Sequence, residues 1–232
     1  MGAILAALKQ GNLHSVEHLV QENIDHINLQ DEHGVTALQY SVENGYIDIV
    51  KLLLKAGADP NIENCFLVEE GQFFIDKNNQ YVEDNEVLIL EQIIQEIQNL
   101  KTTSVLHVAI KKNDIESLKL LLEYGANPNV VDLGYCSPLH WAAAKNNLTA
   151  TKILLEAKVD PNLQDLAKST ALHEAVRKKN LEIIKLLIIN GADPNLEDLG
   201  GETSFDLVGD EQQLLDVILM HSKSIPAGCI IH

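Results

Sequence analysis

With 232 residues, 46% of them apolar and only 4% aromatic, the chain can bury a sizeable core and favours packed helices over a sheet sandwich. Asp and Glu number 34 against 17 Lys and Arg, and the net charge of −17 argues against a nucleic-acid partner because phosphates would be repelled. Three scattered cysteines without metal-ligand spacing argue against a disulfide framework, so we expect reduced thiols, a cytoplasmic location, and neither metal nor cofactor.

The first predicted element is a helix that begins at Ala3. Met1 to Leu8 is apolar over too short a stretch for the core of a signal peptide, and it lacks a basic flank. No apolar run in the sequence approaches the 18 residues of a membrane-spanning helix. We therefore interpret this segment as the start of a folded domain.

Two motifs then recur along the chain with a common period. The first opens with Ser or Thr and begins at positions 36, 104, 137, 170 and 203, so that the last three intervals are 33 residues and the first is 68. The second, Gly-Ala-Asp-Pro-Asn or a close variant, ends at Asn61, Asn129, Asn162 and Asn195. Because two independent motifs share one period, each 33-residue unit is expected to be one structural repeat.

These motifs resemble those of the ankyrin repeat family, and the match is clearest in Ser137-Pro-Leu-His-Trp-Ala-Ala143. The resemblance implies an all-α solenoid of helix-pair units with β-hairpin-like fingers, which binds another protein through its concave groove and finger tips. We expect an ankyrin repeat domain over 1–221 and a flexible tail over 222–232. Its six units are predicted at 2–28, 29–61, 99–129, 130–162, 163–195 and 196–221, with degenerate caps at both ends.

The residues of the fourth unit show how one repeat is expected to form its two helices. Ser137 is predicted to cap a first helix that starts at Pro138, and a second helix is predicted from Leu148 to about residue 157. Second helices elsewhere end at a glycine, the residue that best adopts the left-handed conformation, whereas this unit has Lys158. We expect Lys158 to be left-handed at a cost in stability that glycine would avoid.

An insertion of 35 residues falls between units two and three, over about 62–98. Its sequence predicts a β-hairpin around Gly71 and a helix that Asp84 caps. Phe66, Phe73 and Phe74 either form a recognition element or pack in a small core of the insertion, and the sequence leaves both open.

Basic residues at the ends of the first helices are the sharpest candidate for a binding surface. The resemblance places these positions on the concave groove. We expect them to bind an acidic segment of a partner, because opposite charges steer association. The alternative is a set of solvated helix ends at which Lys offsets the helix dipole. The residues are Lys111, Lys112, Lys145, Arg177, Lys178 and Lys179.

Other recurring residues have structural and functional interpretations. His107, His140 and His173 lie one per unit, too far apart to share a metal ion, and we expect them to hydrogen-bond to neighbouring backbone. Trp141 either packs between units, which we favour, or contacts a partner in the groove. The expected finger row either stacks for stability or offers an apolar rim, and it consists of His33, Leu133, Leu166 and Leu199.

The last residues, Cys229-Ile-Ile-His232, have the form of a prenylation box, although His is an unusual final residue. They motivate an alternative function, a membrane-tethered adaptor or a secreted effector in a eukaryotic host cytosol, with membrane binding only if Cys229 is lipidated. No nucleophile motif, glycine-rich phosphate loop or metalloprotease motif occurs in the sequence. We therefore expect a noncatalytic, monomeric adaptor that binds a protein.

Overall fold

A computed structural model of the chain describes residues 2–22, 26–62, 104–209 and 212–222. Within these ranges it contains twelve α-helices and no β-strand, and the helices follow one another in six pairs. The pairs are α1 (Ala3–Lys9) with α2 (Leu13–Glu22), α3 (Ala37–Glu43) with α4 (Ile47–Lys55), α5 (Val105–Lys112) with α6 (Ile115–Glu123), α7 (Pro138–Ala144) with α8 (Leu148–Glu156), α9 (Ala171–Arg177) with α10 (Leu181–Ile189), and α11 (Ser204–Val208) with α12 (Gln212–Ser222). The predicted all-α solenoid of helix pairs is confirmed.

Hydroxyl side chains start the first helix of several pairs. The Ser137 hydroxyl accepts a hydrogen bond from the N–H of His140, three residues on, and Pro138 occupies the first helical position. Thr170 and Thr203 cap α9 and α11 in the same way. The recurrent Ser or Thr of the sequence motif is therefore the signal that begins each of these helices.

Left-handed residues end the second helices. Gly57, Gly125 and Gly191 have φ values of 93°, 86° and 95°, and the polypeptide leaves the helix at each of them. Lys158 has a φ of 62°, so the predicted left-handed lysine is confirmed. Left-handed residues also occur in the turns within units, as at Asn146 between α7 and α8, with a φ of 58°.

One continuous core runs through the stack because each unit buries equivalent leucines against its neighbours. On the first helices these leucines are Leu106, Leu139 and Leu172, and on the second helices they are Leu121, Leu154 and Leu187. Each is at most 1% exposed, so both helices of a unit contribute one apolar face to the shared core.

Unit two packs directly on unit three although 41 residues lie between Ile62 and Ser104. Helix α3 contacts α5, and α4 contacts α6. The Asn61 side chain bridges the two units, since its Nδ2 donates to the Gly125 carbonyl at 3.1 Å and its Oδ1 accepts from the N–H of Asn127 at 2.7 Å. The stack therefore continues across the insertion, whose predicted hairpin and helix lie outside the described residues.

Candidate partner-binding surface

Each described finger is closed by an aspartate. In the finger before α7, Asp132 Oδ1 accepts hydrogen bonds from the N–H groups of Gly134 and Cys136, both at 2.9 Å, while its own N–H donates to the Cys136 carbonyl. Asp31, Asp165 and Asp198 make the same pattern in the other fingers. We did not predict these aspartates, although they follow the 33-residue period and could have been found from it.

Backbone hydrogen bonds join neighbouring fingers into a row. The N–H of Leu166 donates to the Gly134 carbonyl at 3.0 Å, and the N–H of Leu199 donates to the Ala167 carbonyl at 2.7 Å. Leu133 and Leu199 are 40% and 41% exposed, whereas Leu166 is half-buried. The finger row thus has both features that the sequence left open, a stacked backbone and a partly apolar rim.

The histidines of the first motif link each helix to the following finger. His107 Nε2 lies 3.0 Å from the Cys136 carbonyl, His140 Nε2 lies 2.9 Å from that of Ser169, and the third, His173, makes the equivalent contact with Glu202. The predicted bonds to neighbouring backbone are confirmed. Burial lowers the pKa of His107 to about 4, because a desolvated imidazole disfavours its charged form.

Trp141 contacts both a finger of its own unit and the preceding unit. Its indole N–H donates to Asp132 Oδ2 at 2.9 Å, and its ring meets that of His107 edge-on with centroids 5.4 Å apart. The side chain is half-buried against the core. These contacts support the packing interpretation of Trp141, and its contact with a partner stays a prediction.

Three lysines occupy equivalent, exposed positions at the ends of the first helices. Lys112 is the last residue of α5, Lys145 follows α7 and Lys178 follows α9. We call these three residues the lysine row. In the part of the chain that the structure describes, no ion pair involves them. Lys111 is also exposed beside Lys112.

Unlike the three residues of the lysine row, Arg177 forms ion pairs with residues that the structure describes. Its guanidinium lies 2.9 Å from Glu174 Oε1 and 2.8 Å from Asp198 Oδ2, and it also donates to the Ser169 hydroxyl at 2.7 Å. Two carboxylates therefore offset its charge and fix it between α9 and two fingers. Sequence reasoning grouped Arg177 with the lysines because Asp198 lies 21 residues away and gave no local signal.

Asparagine side chains hold the lysine row in register. Asn147 Nδ2 donates to Asn113 Oδ1 at 2.8 Å, and Asn180 makes the same contact with Asn146 in the next pair of turns. Asn147 and Asn180 also cap α8 and α10 through their Oδ1 atoms. Each turn is thus tied to the one before it, and the lysines that precede the turns are spaced by the same repeat.

Several predicted residues lie outside the described ranges. These are Phe66, Phe73 and Phe74 of the insertion and Cys229 of the tail, so their roles stay predictions. Within the described ranges, no three His, Cys, Asp or Glu side chains come together as a metal site would require. None of the helices described is both long and apolar enough to cross a membrane.

The family model of ankyrin repeats, built as three copies, matches residues 1–64 and 106–198. The chain belongs to the ankyrin repeat family. Its fold is also that of the crystal structure of EF0377, an ankyrin repeat protein, with a TM-score of 0.69 and 26% identity over 94% of this chain and 96% of that one. Ankyrin repeats generally act as non-enzymatic modules that bind other proteins.

Relatives of known sequence match mainly through their repeats. An ankyrin repeat protein of Rickettsia felis is 32% identical over 135 residues, which cover 56% of this chain and 42% of that protein. Ankyrin repeat protein L86 of Acanthamoeba polyphaga mimivirus is 33% identical over 51% of this chain and 25% of its own. The mitochondrial disaggregase of Bos taurus is 30% identical over 54% and 19%. The chain thus spans less than half the length of these relatives.

Proposed function

We propose that this chain is a noncatalytic binding module that takes an acidic stretch of a partner protein on the lysine row. The observation that carries the proposal is a set of three exposed lysines that have no ion pair with any residue the structure describes, in a chain of net charge −17. Complementary charge of this kind raises association rates and fixes the register of a bound partner.

A second set of lysines shows what distinguishes the lysine row. Lys119, Lys152 and Lys185 recur with the same period on the second helices α6, α8 and α10. Acidic neighbours one helical turn away accompany them, since Lys119 lies between Glu116 and Glu123 and Lys185 Nζ is 3.3 Å from Glu182 Oε1. We call this set the outer lysines, and each of them has a glutamate three or four residues away in its own helix.

Two acids close in sequence to the lysine row already have partners. Glu174, one turn before Lys178, is paired with Arg177. Asp114, two residues after Lys112, accepts the N–H of Ser117 as the cap of α6. The lysine row therefore keeps more of its positive charge for a partner than the outer lysines do.

The finger row supplies apolar contact area beside this charge. Tyr135 is 58% exposed at the tip of the same finger that carries Leu133. Tyrosine is enriched in protein interfaces because it offers a large, rigid surface at a small cost in side-chain entropy. We propose that finger tips contact the partner next to the acidic stretch.

Affinity capture from a eukaryotic lysate tests this function with three immobilised proteins. They are the wild type, the reversal K112E/K145E/K178E, and the matched control K119E/K152E/K185E, which makes the same charge change on the outer lysines. We expect mass spectrometry to find a partner on the wild type and the control that is absent from the reversal. Far-UV circular dichroism and thermal melts check that all three fold. A partner retained by the reversal would contradict the proposal.

A further inference from the structure

We infer that the acidic stretch bound by the lysine row is an extended polyproline II segment that presents a carboxylate at every third residue. This inference rests on the proposed function and specifies the conformation and spacing of the partner. It follows from the fixed separation of the three lysines rather than from their charge alone.

The asparagine contacts between turns fix the distance between successive lysines of the row. Because Asn113 and Asn146 each accept from the next turn, successive lysines cannot drift apart. Helices packed side by side are about 8–10 Å apart, which sets the interval along the lysine row. A polyproline II segment advances about 3.1 Å per residue with three residues per turn, so every third side chain lies on the same face and three residues span about that interval. A helix advances about 1.5 Å per residue and would need six or seven.

The row also has defined ends. At the corresponding positions, unit two carries Glu43 and Asn44 in place of Lys111 and Lys112, and Glu43 is exposed. One period beyond Lys178 the sequence has Glu211. The basic surface thus covers two intervals, about 16–20 Å, which matches seven residues of polyproline II with carboxylates at the first, fourth and seventh. A further acid beyond Lys112 would meet Asn44 beside the exposed Glu43 rather than a fourth lysine, and this restricts the partner.

The overall charge of the protein does not prevent this binding. At 0.15 M salt the Debye length is about 8 Å, so distant carboxylates of the chain are largely screened from a segment on the lysine row. Charges in direct contact with the row are screened less. The test should therefore be made at 0.15 M salt, where the lysine row contributes more to the affinity than distant carboxylates do.

Fluorescence anisotropy with labelled, end-capped peptides tests the inference on the full chain. The first peptide has seven residues with Glu at positions 1, 4 and 7 and Ala or Ser between them. Its isomer has the same composition with Glu at positions 3, 4 and 5. A third, helix-forming peptide has Glu at positions 1, 8 and 15. We expect the spaced peptide to bind about tenfold more tightly than its isomer, because two more ion pairs form at once.

Two variants assign the difference to the lysine row. Lys145→Ala removes the central lysine and should erase most of the tenfold preference, whereas Lys152→Ala removes an outer lysine of the same unit and should keep it. A fourth Glu added three residues before or after the spaced set should not tighten binding, because the sequence has Asn44, beside Glu43, one unit before Lys112 and Glu211 one period after Lys178.

Three outcomes would overturn the inference. They are equal affinity for the two isomers, tightest binding by the helical peptide, and no detectable binding of the spaced peptide. None of them decides the proposed function, which depends on whether the captured partner is lost with K112E/K145E/K178E. If that reversal loses the partner and the two isomers bind with equal affinity, the partner is acidic but binds in another conformation.

Discussion

At the scale of single residues, the fold depends on backbone conformations that glycine adopts most easily. The left-handed positions recur in each unit, yet only some of them are glycine. Tyr135 and Lys168 are left-handed at finger tips, with φ values of 57° and 52°, where the sixth unit has Gly201. Their side chains gave no signal of this in the sequence. Lys158 could be predicted only because three other units have glycine at that position.

Lys158→Gly should therefore stabilise the protein by about 1 kcal/mol, because glycine has no Cβ to clash in the left-handed region. Urea unfolding followed by circular dichroism measures the change. The matched control is Lys152→Gly, which places glycine inside α8 and should destabilise by about 1 kcal/mol. If both substitutions destabilise the protein, this account of Lys158 is wrong.

At the scale of elements, the sequence predicts helices better than fingers. Caps and apolar periodicity are local, so the starts of α7 and α8 at Pro138 and Leu148 agree with prediction. The contacts that shape a finger converge on one residue from several places along the chain. Asp132, for example, binds two N–H groups of its own finger and also the indole of Trp141 on the following helix. The period shows where this aspartate recurs, but it does not show which groups the aspartate binds.

The burial of His107 in α5 predicts a dependence of stability on pH. The pKa of His107 is about 4 in the folded protein, against about 6.5 in an unfolded chain. Between these pH values the unfolded state binds more protons, so the free energy of unfolding falls as the pH decreases from 6.5 towards 4. His107→Gln should remove this contribution, and Gln39 already occupies the equivalent position in unit two.

Urea unfolding at pH 7.5 and pH 5.0 measures the effect. The wild type should lose about 1–2 kcal/mol more than His107→Gln over this interval. Burial raises the pKa of Asp165, which acts in the opposite direction, but both proteins share that group and it cancels in the comparison. The control His14→Gln changes an exposed histidine and should keep the wild-type loss. Equal losses for wild type and His107→Gln would show that this histidine is not the cause.

At the scale of the whole molecule, the solenoid can be predicted because the same helix caps and apolar pattern recur in successive units. The candidate surface is less predictable. From sequence, the lysines are assigned to one groove only through the resemblance to a family. The ion pairs of Arg177 with Glu174 and Asp198, which set it apart from these lysines, are visible only in the structure. Charge in a sequence does not show which carboxylate it faces in space.

The direct packing of units two and three predicts that the solenoid does not need the inserted segment. Residues 63–103 can be replaced by the six residues 164–169 of a regular finger, which removes 35 residues and restores the 33-residue interval. The contacts of Asn61 with Gly125 and Asn127, and the ion pair of Lys51 with Glu116 at 2.6 Å, use residues on either side of the replaced stretch.

We therefore expect this variant to keep a single cooperative unfolding transition, with a free energy of unfolding within about 1 kcal/mol of the wild type. Two separate transitions would show instead that the insertion couples the two parts of the stack. The same variant separates the two roles of Phe66, Phe73 and Phe74. If it folds and still captures a partner that K112E/K145E/K178E loses, recognition belongs to the lysine row. If it folds and captures none, recognition requires the insertion as well.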